Sequence, residues 1–201
     1  TMKFPNTRQE DLLHEWNLQP EGLPIEIYTP KVFYKKYKEA GIPSDHSFTI
    51  KTSELTPSDW ASVFESKLND PIGIIVERIV SELQEKNQPY DIADIINIIE
   101  KDERSKKEDK DAAINRFLAA SKWGLFEKYG TEIDELIKPG GVTVLDISAY
   151  TEMSGAWSIK ALVIALVSRK LLLERIEQRK KEELSSMESS GKFFVEEKEL
   201  E

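Results

Sequence analysis

The sequence predicts a mainly α-helical chain carrying a small β element of two to three strands. Three observations lead there. Most of the chain repeats its apolar residues at helical spacing. Thr56-Pro57 and Asp70-Pro71 supply paired helix-start signals, an N-cap type residue followed by proline at the first helical position. Only Val142 to Ser148 reads as a strong strand, with Ile25 to Tyr28 and Phe48 to Ile50 as weaker ones.

Taken in order, Leu12, Leu13, Trp16 and Leu18 form an apolar stripe within 10–19, ended by Pro20 and Gly22. Ile25-Glu26-Ile27-Tyr28 alternates and is β-branched, which predicts a strand. Val32 to Ala40 is a basic, aromatic helical stretch that Gly41 and Pro43 break. Thr56-Pro57-Ser58-Asp59 opens a helix expected to run to about Leu68, with Trp60, Val63 and Phe64 inside. Ile72, Ile75, Val76, Ile79, Val80 and Leu83 mark one face of the next helix. Asp91 caps another, with Ile92, Ile95, Ile96 and Ile99. A further helix is expected over about 109–126.

The segment 101–110 holds five basic and four acidic residues, so its charge nearly cancels and it reads as a solvated connector. Leu136 and Ile137 lead into a turn at Pro139-Gly140-Gly141. The strand after it is apolar almost throughout, as in a parallel sheet covered on both faces. From Ala156 to about Met187 runs one long helix, apolar in its first half and charged from Glu174 to Glu183. The end, 188–201, is polar apart from Phe193, Phe194 and Val195 and expected to be mobile. The predicted divisions are a mixed α/β segment over 1–55, a helical insertion over 56–138, and a core strand with a long protruding helix over 139–201.

Composition narrows the function. The 201 residues suffice for a real core, and 39% hydrophobic with 32% charged residues suits a globular chain. There is no cysteine and there are two histidines, which removes disulfide scaffolds, thiol catalysis and Cys-ligated zinc. The net charge of −9 opposes a uniformly basic nucleic-acid surface. No apolar run reaches membrane-spanning length, and the first ten residues lack an apolar signal region, so a cytoplasmic location is expected. Neither a P-loop nor a G-x-G-x-x-G, G-x-S-x-G or H-E-x-x-H pattern occurs.

Two residues are candidates for a site by location. Asp146 lies near the carboxyl end of the strong strand, where open α/β sheets bind ligands. A local turn hydrogen bond with Ser148 explains it at least as well. Arg169 sits in the apolar half of the long helix and needs a partner: an acid within the fold, a phosphate or a neighbouring subunit. Lys31, Lys35, Lys36 and Lys38, interleaved with Phe33, Tyr34 and Tyr37, form a basic–aromatic cluster that could follow a nucleic-acid backbone, and a surface helix with buried aromatics explains it equally well. The tryptophans fit helix cores better than base stacking. His14 and His46 have no ligand-like neighbours.

Several runs resemble the central ATPase domain of archaeal HerA-type ATPases, of the FtsK-like DNA translocases. They are Trp123-Gly124-Leu125-Phe126, Gly130 to Leu136, and Lys138-Pro139-Gly140-Gly141 into Val142 to Ser148. Leu162 to Arg169, Leu173-Glu174-Arg175 and Arg179 to Glu183 continue the likeness, and Leu55 to Trp60 adds to it. The resemblance implies a partial RecA-like α/β core with a helical insertion, taken from between the P-loop and Walker B strands. It implies an ATP- and Mg²⁺-dependent parent that forms a homo-oligomeric ring on duplex DNA and works with a nuclease. The chain alone is then expected to lack ATPase activity and to hold no cofactor. Its long helix is expected to self-associate. The competing reading is a stand-alone helical interaction module without nucleotide chemistry.

Overall fold

A computed structural model describes residues 3–137, 140–153 and 155–196. Pro139, placed in a turn above, lies outside the described residues, as do Lys138, Ser154 and 197–201. The chain divides into two compact units, Thr1–Lys160 and Ala161–Glu201.

The first unit is built on parallel strands. The alternating Ile25–Pro30 forms β1. Pro30 ends it and leads directly into α2, Lys31–Glu39, since a proline cannot donate to the next ladder rung. A short helix α1, Glu10–Glu15, precedes both and buries no side chain. Gly41 stops α2 with φ +69°, while the Ile42 amide bonds back to the Tyr37 carbonyl, the closing bond of a Schellman turn. The chain returns beside β1 as β2, His46–Phe48, with Tyr28 opposite His46 and Pro30 opposite Phe48.

After Thr49 the same extended segment continues as β3, Ile50–Lys51. Its parallel partner is β4, Phe126–Glu127, a strand the sequence patterning does not foresee. Thr131 bridges the break at Thr49. The Thr131 hydroxyl accepts the Thr49 amide at 3.0 Å, and the Thr131 amide donates to the Thr49 carbonyl at 3.0 Å. Gly130 permits this approach, because a Cβ there would stand 2.2 Å from the Lys51 nitrogen. The strong strand, β5, Val142–Leu145, lies on the other side of β1, with Ile25 opposite Val142 and Tyr28 opposite Leu145. The sheet order is β2-β1-β5, all parallel.

Between β3 and β4 stand four helices: α3 (Pro57–Val63), α4 (Pro71–Glu85), α5 (Ile92–Lys101) and α6 (Lys107–Ser121). Thr56 and Asp91 each build a complete capping box, with Asp59 and Asp94 as the reciprocal partners. α3 is shorter than its sequence suggests. Glu65 turns to φ +52° and the Ser66 amide folds back onto the Ala61 carbonyl. The Arg116 guanidinium, reaching from α6, takes the Phe64 carbonyl. α6 likewise ends at Ser121, not near 126, because Gly124 adopts φ +58° and Phe126 joins β4. A further turn of helix, α7, spans Ile133–Leu136.

The aromatic core of this region centres on Trp60, fully buried, with ring centroids 5.0 Å from Phe117, 5.0 Å from Phe126 and 5.5 Å from Phe64. Ile75, Val76, Ile79 and Val80 of α4 and Ile95 and Ile99 of α5 complete it. The connector after α5 is pinned: Arg78 pairs with Asp102 at 2.5 Å and donates to Ser105 at 2.9 Å.

β5 departs from the expectation of a strand covered on both faces. Val142 and Val144 are 46% and 39% exposed, on a strand that stands at the edge of the sheet. The long helix, α8, runs Ala156–Glu196, further than the patterning predicts, and its tail is helical to Glu196. At ~1.5 Å per residue it measures roughly 60 Å.

Candidate functional site at the carboxyl end of the sheet

In open α/β sheets ligands bind outside the carboxyl ends of the parallel strands. Here β5 leaves the sheet at Asp146, whose amide makes the last rung to the Tyr28 carbonyl at 2.8 Å. The Asp146 carboxylate then accepts the Ser148 amide at 3.0 Å, an Asx turn. That turn feeds a 3₁₀ segment, Ser148–Glu152. Thr151 donates back to the Ser148 carbonyl at 2.6 Å and accepts from the Lys160 ammonium at 2.7 Å.

Tyr150, in the same segment, anchors it. The ring is fully buried, meets Phe33 edge-on at 5.3 Å, and donates its hydroxyl to the Trp123 carbonyl at 2.9 Å. Burial pushes its phenol far above the usual tyrosine range, so it stays protonated and donating. The Tyr28 hydroxyl of β1 donates to the Glu135 carbonyl and holds α7 to the sheet.

An open groove of ≈ 530 Å³ lies beside Asp146. Ile27, Pro43, Val144 and Ile147 form its apolar wall, and Asp146 and Lys160 stand among its polar lining groups. Such a surface can hold an apolar body and steer one polar end. It has no histidine or cysteine; the Thr151 hydroxyl accepts from Lys160 and the Asp146 carboxylate accepts the Ser148 amide. Among the described residues no group of three potential ligands gathers for a metal.

The sequence candidates separate. Asp146 belongs to the first unit and is occupied by the turn bond that was its alternative explanation. Arg169 belongs to the second unit, is half-buried, and is engaged in an interaction. The basic cluster of α2 is largely spent within the chain. Lys31 pairs with Glu127 at 2.6 Å, Lys35 with Glu39 at 3.9 Å, and Lys38 lies over the Tyr34 ring at 5.6 Å. The tryptophans divide: Trp60 is core as expected, whereas Trp16 and Trp157 are largely exposed. His46 reaches Glu26 at 3.1 Å and tilts over Tyr28.

Thr151 and Lys160 were not candidates from the sequence. No spacing rule joins them to Asp146, since the turn that assembles them follows from the 3₁₀ segment. The chain matches no protein-family model, no curated protein and no solved structure. Among the described residues no helix is long and apolar enough to cross a membrane.

Proposed function

We propose that the chain is a segment of an archaeal HerA-type, ATP-dependent DNA translocase, and that it hydrolyses no ATP alone. The observation that carries this is the β5–α8 succession beside β1: an apolar parallel strand, an acidic turn, then a very long helix. Of the residue runs that resemble the family, Val142 to Ser148, Leu162 to Arg169, Leu173 to Arg175 and Arg179 to Glu183 fall on β5, the turn after it and α8, and the others fall before them, on α3, β4 and α7. In this reading the parent is a cytoplasmic homo-oligomeric ring on duplex DNA, partnered by a nuclease.

The residues present do not fit Mg²⁺-ATP. A phosphate cradle needs a Gly-rich turn at a helix start with a lysine, and the sequence has none. Asp146 spends its carboxylate on the Ser148 amide. No nucleotide step is therefore assigned to any residue here, and ATP and Mg²⁺ belong to the parent's other elements.

Titration calorimetry of this chain with Mg²⁺-ATP should show no heat of binding up to about 1 mM nucleotide, a free energy of roughly −4 kcal/mol. Micromolar binding would overturn the assignment. The complete gene product should hydrolyse ATP faster when duplex DNA is added, and a product without DNA-stimulated turnover would refute the translocase reading. A second reading, an interaction module, draws on the exposed valines of β5.

A further inference from the structure

α8 carries a mainly apolar stripe from 159 to 187, interrupted by Arg169 and Lys180. At helical spacing, positions 159, 162, 166, 169, 173, 176, 180, 184 and 187 share that side. Ile159, Leu162 and Leu166 are buried. Further along, Leu173 and Ile176 are exposed, and Leu184 and Met187 are 62% and 69% exposed. The same stripe is thus satisfied in its first part and bare in its second, which is where a contiguous apolar surface marks an interaction site.

The rest of the helix surface shows what the stripe fits. On the far side, Gln178 donates to Glu174 at 2.9 Å and Arg175 pairs with Glu182 at 3.7 Å. That side satisfies itself. Along one edge of the stripe stand Glu177 and Lys181, and along the other stand Arg179 and Glu183. None of these four has an ion pair among the described residues. Each edge carries one acid and one base, so a like edge complements it. Antiparallel pairing sets Glu177 against Lys181 and Arg179 against Glu183 of the other helix. Parallel pairing sets Glu177 against Arg179 and Lys181 against Glu183.

The stripe is also symmetric. Leu173, Ile176, Lys180, Leu184 and Met187 step by 3, 4, 4 and 3 residues, centred on Lys180. Either direction of pairing brings Lys180 against its own copy, and the apolar residues meet apolar residues. A single lysine in such a seam sets register at a cost in affinity. We propose that residues 173–187 of α8 are a dimerisation surface whose occupant is the same stretch of a second copy of this chain. This pairing does not depend on the nucleotide reading above.

Sedimentation velocity at about 100 µM chain should give twice the monomer mass, from a dissociation constant in the micromolar range. Ile176→Glu and Leu184→Glu should each return the monomer, with helix content by circular dichroism unchanged. Lys180→Leu should tighten the dimer about tenfold, a gain that no loss of folding can mimic. The chain has no cysteine, so an introduced one is unique. Lys180→Cys should form an interchain disulfide on mild oxidation, and Glu174→Cys on the far side should not. The proposal is overturned by a strict monomer at that concentration, by a dimer that survives Ile176→Glu, or by Glu174→Cys linking as readily as Lys180→Cys.

Discussion

The helices α3–α6 and the sheet β2-β1-β5 lie in the same unit and spend their apolar residues differently. The helices close on themselves. Trp60, Phe117, Ile95 and Ile99 are fully buried, and two helix starts carry complete capping boxes. The sheet buries Tyr28 and Phe48 but leaves Val142 and Val144 bare on its edge strand. Stability should therefore reside in the helices, and the sheet should hold what is free to bind.

The largest effect that tests this contrast is Trp60→Ala. It empties a site ringed by three phenylalanines and should cost about 3–5 kcal/mol in a urea titration. A loss below 1 kcal/mol would erase the contrast. Next comes Asp102→Ala, which leaves Arg78 without its acid, Ser105 alone remaining, and should cost about 1–3 kcal/mol.

That carboxylate also gives a pH signature. Burial raises its pKa, but hydrogen bonds from Ser105, the Arg104 amide and Arg78, with the Arg78 charge, bring it below the ordinary 3.8. Asp45 behaves alike: burial raises it, and Lys3 and the Ile27 amide outweigh that. A depressed folded pKa contributes stability that is present above 3.8 and lost as pH falls through the folded value. Melting temperature should fall in that acid window, and Asp102→Asn should flatten part of the slope.

Smaller still, Thr56→Ala and Asp91→Ala should each cost about 1 kcal/mol through the lost caps. Smallest of all, Val144→Thr should change stability by less than about 0.5 kcal/mol, as exposed positions do. A larger loss there would show that the bare face is not free.

The helices were legible because their signals are local. A capping residue, a proline at the first turn and isoleucines at helical spacing need no knowledge of the rest of the chain, and Thr56, Pro71 and Asp91 each marked a true start. Helix ends were harder. α3 stops where Arg116, from another helix, captures the Phe64 carbonyl. β4 was invisible because two residues make no pattern, and its existence depends on Ile50, far away in sequence. At the candidate site, Asp146 could be placed at the strand end from its sequence alone. Its Asx turn was foreseeable from Ser148 two residues on, but the Thr151–Lys160 contact was not, since it needs the 3₁₀ turn and the start of α8 together.

The Thr49–Thr131 bridge sets an order of events. Its partners are 82 residues apart, with the whole four-helix insertion between them. An unstructured loop of that length pays a heavy closure entropy before the bridge returns anything. Helices of local contact form quickly, and once α3–α6 have packed, the distance left for the ends to search is short. The insertion is therefore a splint for the sheet: in refolding, amide protection should rise first at Val76, Val80 and Ile95, and only later at Thr49 and Thr131.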